Sequence, residues 1–223
     1  MRLYFHVLFL KGQNLSGTLS PMFSKLQYLT ILDLSRNIIT GSIPQQWSSM
    51  GLVEISFMGN KLSGPFPKVL TNITTLRNFI LSSNGFTGAL PPSLSKLTKL
   101  IDLSSACYAN SLILRRITDL KGDKTSAFPP LNNMKSMKTL VLRRCMIKGE
   151  IPEYIGRMEK LKILDLSYNN LSGEIPESFA ELDKVDFMYL TGNNLSGTIP
   201  GWVLGNNKNI NLAESYSSSV DTQ

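Results

Sequence analysis

Asn169-Asn-Leu-Ser-Gly-Glu-Ile-Pro176 decides how this chain folds, because the phrase keeps returning. Asn193-Asn-Leu-Ser-Gly-Thr-Ile-Pro200 follows it, and Asn37-Ile-Ile-Thr-Gly-Ser-Ile-Pro44, Asn60-Lys-Leu-Ser-Gly-Pro-Phe-Pro67 and Asn84-Gly-Phe-Thr-Gly-Ala-Leu-Pro91 precede it. Neighbouring copies start 23 or 24 residues apart (37 to 60, 60 to 84, 169 to 193). A fixed period of this size marks a solenoid, in which each repeat is one turn and contacts only its neighbours. A chain of this kind works by offering a surface.

Working outward from the phrase, each unit reads L-x-x-L-x-L-x-x-N-x-L-x-G-x-I-P and then a looser half. In one copy the slots are filled by Leu29, Leu32, Leu34, Asn37, Ile39, Gly41, Ile43 and Pro44. This is the leucine-rich repeat pattern. The expected fold is an α/β solenoid, a leucine-rich repeat right-handed superhelix of about eight repeats of the LxxLxLxxNxLxGxIP type. Alternation in Leu32-Asp-Leu34 signals a strand with leucines inward, leaving Asp33 and Ser35 on the concave sheet. The looser halves, such as Pro92-Ser-Leu-Ser-Lys-Leu-Thr-Lys-Leu100, place apolar residues three apart and predict short helical turns on the convex side.

The asparagine follows the last strand leucine by three positions, where the chain turns inward. A side-chain amide there carries both donors and an acceptor, so it can satisfy backbone groups of the turns above and below. The ladder is predicted at Asn37, Asn60, Asn84, Cys145, Asn169 and Asn193, with Gln13 as an off-type first rung. Cysteine in this slot reads as a small buried group. Gly41, Gly64, Gly88, Gly149, Gly173 and Gly197 lie four residues past each rung, which predicts a positive φ or a tight approach.

Residues 1–103 form a first block of repeats. After Asn84 the next rung should fall near position 108, yet the consensus is lost, and residues 104–113 read as an irregular interruption. A new strand is predicted through Arg115 to Ile117, with Leu120 in the rung slot and a second block over 114–213. Residues 214–223 are polar and are expected to be a mobile tail. Met1 to Leu10 has the charged start of a signal peptide but no small-residue cleavage site, and it fits the first repeat strand better. An uncapped, interrupted stack also admits a non-functional, unstable fragment.

Composition excludes much. The formal net charge is +7 without any run of five like charges, so no nucleic-acid tail is indicated. No stretch of 18 apolar residues is present to span a membrane. The sole histidine is His6, and the two cysteines, Cys107 and Cys145, lack zinc-ligand spacing, so no metal and no cofactor are expected. A Ser-His-Asp arrangement would have to be built on a terminal strand. No phosphate-binding loop or kinase element occurs, and the chain reads as non-catalytic.

Leu10-Lys-Gly-Gln-Asn-Leu-Ser-Gly-Thr-Leu19, Arg116-Ile-Thr-Asp-Leu-Lys-Gly122 and Pro130-Leu-Asn-Asn-Met-Lys-Ser-Met-Lys-Thr-Leu-Val-Leu-Arg-Arg-Cys145 resemble plant leucine-rich receptor-like serine/threonine kinases. The resemblance is to the subfamily that carries a malectin-like domain after the repeats. It implies a signalling role, a place on the extracellular face of the plasma membrane, and a truncated fragment lacking the kinase. Implied partners are a protein or peptide ligand or a co-receptor, with cell-wall carbohydrate a further candidate. A free-standing interaction protein, either decoy or enzyme inhibitor, is the alternative.

On the concave face the candidate ligand site is Arg143, Arg144, Asp165, Tyr168 and Tyr189. Adjacent strands lie about 5 Å apart, which would bring Arg143-Arg144 near Tyr168. Arginine beside tyrosine favours interfaces and suits a carboxylate. Four Asn-x-Ser/Thr acceptors, Asn14, Asn72, Asn170 and Asn194, are glycosylation candidates in a secreted protein.

Overall fold

A computed structural model of the chain describes residues 5–106, 126–205 and 209–212. Nine short strands form one parallel sheet in chain order: Val7–Phe9, Ile31–Asp33, Glu54–Ser56, Asn78–Ile80, Asp102–Ala106, Thr139–Arg143, Ile163–Asp165, Phe187–Tyr189 and Asn209–Asn211. Eight turns and a ninth closing strand thus stand where about eight repeats were expected. One inward row runs through every strand, from Leu8 through Leu32, Ile55, Phe79, Leu103, Leu140, Leu164 and Met188 to Ile210. The seven members from Leu32 to Met188 are buried, whereas Leu8 and Ile210 at the two ends are half-buried. The chain is a leucine-rich repeat solenoid.

The first eight strands are each followed in chain order by a second extended piece. Four of these, Ser16–Thr18, Ile38–Gly41, Lys61–Pro65 and Gly85–Thr87, make a second parallel sheet. Ser126–Ala127, Ile147–Glu150, Asn170–Gly173 and Asn194–Leu195 make a third. Only a turn had been expected there. Stacking in constant register brings the same extended backbone groups opposite each other, and pairing satisfies them. The glycines behave as expected: Gly41, Gly64, Gly88, Gly149, Gly173 and Gly197 all have φ between 76° and 91°.

The looser halves are 3-10 turns, including Gln45–Ser49, Lys68–Asn72, Pro92–Lys96 and Glu177–Glu181. Each buries an apolar residue, respectively Trp47, Leu70, Leu94 and Phe179. In all four a proline (Pro44, Pro67, Pro91, Pro176) stands at the residue before the turn. Its fixed φ leads the chain out of the extended segment.

The ladder forms, but it reaches in one direction. Asn37 Nδ2 donates to Leu34 O in its own turn and to Leu10 O in the preceding one, while its Oδ1 accepts from Leu15 N. Asn60, Asn84, Asn169 and Asn193 repeat this geometry. Each amide therefore ties its turn to the one before it, and the next asparagine supplies the forward tie. Cys145 keeps the slot with a weaker group: its thiol lies 3.5 Å from Ser105 O and 3.4 Å from Arg143 O. Gln13 is not a rung. It is exposed, and its Nε2 donates to Lys11 O in its own turn.

The strands that flank the interruption are described. The strand Asp102–Ala106 is regular to its end and pairs directly with Thr139–Arg143, from Asp102↔Thr139 to Ala106↔Arg143. In the long sheet these two strands are therefore immediate neighbours, and the strand expected at Arg115 to Ile117 lies outside the described residues. Leu120, Cys107 and residues 107–125 in general lie outside the described residues, as does the tail from 213.

Candidate functional site

The residue before each rung adopts the left-handed region. Gly12, Arg36, Gly59, Ser83, Arg144, Tyr168 and Gly192 have φ between 56° and 70°. The turn needed to carry the chain into the ladder demands this, and a non-glycine residue there is strained by about 1–2 kcal/mol. Glycine relieves the strain at three of the seven places. Arg144 and Tyr168 bear it in consecutive turns, and the turn projects their side chains outward together.

The product is a compact cluster. The guanidinium of Arg143 lies 4.7 Å from the centre of the Tyr168 ring, and that of Arg144 lies 4.8 Å from it. Cation–ring contacts at exposed sites contribute about 0.5–1 kcal/mol each. Tyr168 remains 39% exposed. Its ring rests on Gly192 of the next turn: a Cβ added there would fall 2.7 Å from Tyr168 Cδ1. Among the described residues, no carboxylate pairs with either guanidinium. Two cations are thus held against one ring with their charge available to a ligand.

The other expected site residues separate from this core. Asp165 accepts from the backbone N–H and the hydroxyl of Ser167 through Oδ1, closing the bend that ends its strand. Asp33 does the same for the Ser35 N–H at 2.8 Å. Consequently Ser35 and Ser167 are buried at 4% and 1% exposure, not displayed on the sheet as their alternation implied. Tyr189 stands opposite Asp165 in register and pairs with Phe187, their rings parallel with centroids 6.5 Å apart. Phe187 is 40% exposed and was missed by sequence reasoning, although its place two residues before Tyr189 puts it on the same face. Gly192 was likewise missed as the seat of the tyrosine ring.

All four glycosylation candidates, Asn14, Asn72, Asn170 and Asn194, are exposed. His6 lies beside Tyr28, with ring centroids 6.1 Å apart. Among the described residues, no group of three His, Cys, Asp or Glu side chains is placed to hold a metal. No helix among them is long and apolar enough to cross a membrane.

Tyr154 has a shifted value. Burial raises its phenol above the ordinary tyrosine range, opposed by the hydrogen bond from Leu131 N. The phenol donates to Pro129 O at 2.6 Å. It fastens Pro129 and Leu131 to the following turn, which is a structural duty.

With this geometry in hand, comparison with known proteins is informative. Leucine-rich repeat family models match residues 28–50, 75–97 and 135–195. A probable LRR receptor-like serine/threonine-protein kinase of Arabidopsis thaliana is 59% identical over 68 residues, covering 30% of this chain and 7% of the relative. Another from the same plant is 36% identical over 209 residues, covering 67% of this chain and 20% of the relative. The chain therefore spans a fifth or less of the length of these curated relatives. Among solved structures it resembles the Arabidopsis receptor kinase HAESA in complex with the peptide hormone IDA and the co-receptor SERK1. The TM-score is 0.72 at 28% identity, covering 87% of this chain and 31% of that one. The chain is homologous to the repeat portions of plant LRR receptor-like kinases.

Proposed function

We propose that this chain is a non-catalytic ligand-recognition segment from the extracellular part of a plant receptor-like kinase. Its contact is the Arg143–Tyr168–Arg144 cluster, with Asp165 and Tyr189 on the adjoining strands. The observation that carries the reading is the pair of guanidiniums within 5 Å of a single exposed ring, uncompensated by carboxylates among the described residues. Such a cluster selects an acidic group and grips an apolar one beside it. The similarity to a receptor ectodomain solved with a peptide hormone and a co-receptor favours a peptide ligand or co-receptor over cell-wall carbohydrate.

The finer parts of this reading go further. The chain comes from the subfamily with a malectin-like domain beyond the repeats, and works at the outer face of the plasma membrane. Asn14, Asn72, Asn170 and Asn194 carry N-linked glycans, and their exposure supports that use. A random peptide library displayed on phage, selected on the wild-type chain, tests the site. Selected peptides should be enriched in Asp and Glu, and the double variant Arg143→Ala/Tyr168→Ala should recover them at least tenfold less well. Equal recovery by wild type and variant would reject the cluster as the contact.

A further inference from the structure

We propose a second contact on the same face, the Phe187–Tyr189 ring pair, which makes the preferred ligand an extended peptide with an aromatic residue about five positions from an acidic one. The proposal rests on the reading of Arg143, Arg144 and Tyr168 as a ligand contact and extends it.

The outward face of the long sheet changes character along its axis. In the column that contains Phe187, Val7 and Ile31 are followed by Glu54, Asn78, Asp102 and Thr139, and the face turns apolar again at Ile163 and Phe187. In the neighbouring column, Ser56, Ile80 and Ser104 give way to Val141, Asp165 and Tyr189. In the Phe187 column the run of polar residues from Glu54 to Thr139 therefore ends beside the guanidiniums. Val141, Ile163 and Tyr189 are half-buried, and Phe187 is left 40% exposed in the middle of a strand. A large ring set parallel to its neighbour's offers a ligand ring a ready partner at small entropic cost.

The spacing identifies the occupant. Arg143 lies four residues beyond Thr139, which shares a row with Ile163 and Phe187. Two strand spacings make about 10 Å across the sheet and four residues about 13 Å along it, a diagonal of about 16 Å. An extended peptide covers this in about five residues at roughly 3.3 Å each. Asp165 lies between the two ends, and its Oδ2 can accept a backbone N–H of such a peptide on the way. Charge complementarity fixes the polarity: the acidic residue goes to the guanidiniums and the ring to Phe187.

The test uses the whole chain, as wild type, Phe187→Ser and Arg143→Ala. The probes are synthetic peptides bearing one Asp and one Phe separated by one to seven Gly or Ser residues, with binding read by interferometry. Affinity should peak at a separation of about five. It should fall about tenfold when either the peptide Phe or Phe187 becomes Ser, and the two losses should not add. If Arg143→Ala weakens binding while Phe187→Ser and peptide spacing leave it unchanged, this inference is overturned and the guanidinium site stands. If neither substitution matters, both fall. Binding of an oligouronate instead of the peptides, abolished by Phe187→Ser, also overturns it in favour of a sugar platform. Phe187 is exposed, so its replacement should leave the unfolding midpoint in place, and circular dichroism checks that.

Discussion

Replacing Asn84 by Ala should remove one rung and loosen the stack between two turns. Asn84 is 4% exposed. Its Oδ1 accepts from Leu62 N at 3.1 Å, and its Nδ2 donates to Phe57 O at 2.8 Å and Leu81 O at 3.1 Å. Three bonds at about 1 kcal/mol net each set a floor of about 3 kcal/mol. Truncation also strands the Leu62 N–H in a buried site, adding about 1–2 kcal/mol. A loss of about 4–5 kcal/mol is a large share of the roughly 5–15 kcal/mol that stabilises an ordinary domain. Each turn contacts only its neighbours, so the damage should stay local, and the unfolding transition should broaden as well as shift. Urea unfolding followed by far-ultraviolet circular dichroism measures both. Asn84→Asp keeps an acceptor but turns an anionic oxygen on two carbonyl oxygens, and should be no more stable than the alanine variant. Exposed Asn170, next to rung Asn169, is the control, with an expected change within about 0.5 kcal/mol for Asn170→Ala. A loss below about 1 kcal/mol for Asn84→Ala, or recovery by Asp, would refute the ladder as the tie between turns.

Gly192→Ala should lose about 1–2 kcal/mol from its backbone at φ +69 and push the Tyr168 ring off its seat. Unfolding together with binding of the selected acidic peptides checks this, and unchanged binding would show that the ring is not positioned by Gly192. Tyr154→Phe removes the donor to Pro129 O and should destabilise the chain by about 1–2 kcal/mol at neutral pH. The wild-type phenol ionises at a higher pH folded than unfolded, so its stabilising effect is complete below the unfolded value of about 10 and is lost as pH rises through the folded one. Urea midpoints measured between neutral and strongly alkaline pH should fall for wild type in that window, and less steeply for Tyr154→Phe.

The meeting of Arg143, Arg144 and Tyr168 was legible from spacing alone. Arg143, Arg144 and Tyr168 share a period, and parallel strands at constant register had to bring them together. That Asp165 Oδ1 also closes a bend on Ser167 was not read from the pattern, although a side chain can hydrogen-bond two residues along its own backbone and Ser167 lies within that reach. Phe187 was overlooked because an aromatic residue in a strand reads equally as core or surface until its neighbours are known.

The repeat by itself determined the solenoid, the inward leucine rows, the positive-φ glycines and the asparagine ladder. Each follows from a period that places like residues in like surroundings, so one turn solves the problem for all. Tertiary structure decided what breaks that equivalence. The long sheet passes directly from Asp102–Ala106 to Thr139–Arg143, because continuous strand pairing outweighs the lost consensus between them. Gly192 holds the ring of Tyr168, and two guanidiniums gather on it, because contact between adjacent turns depends on which side chains meet across them and not on where each falls within its own repeat.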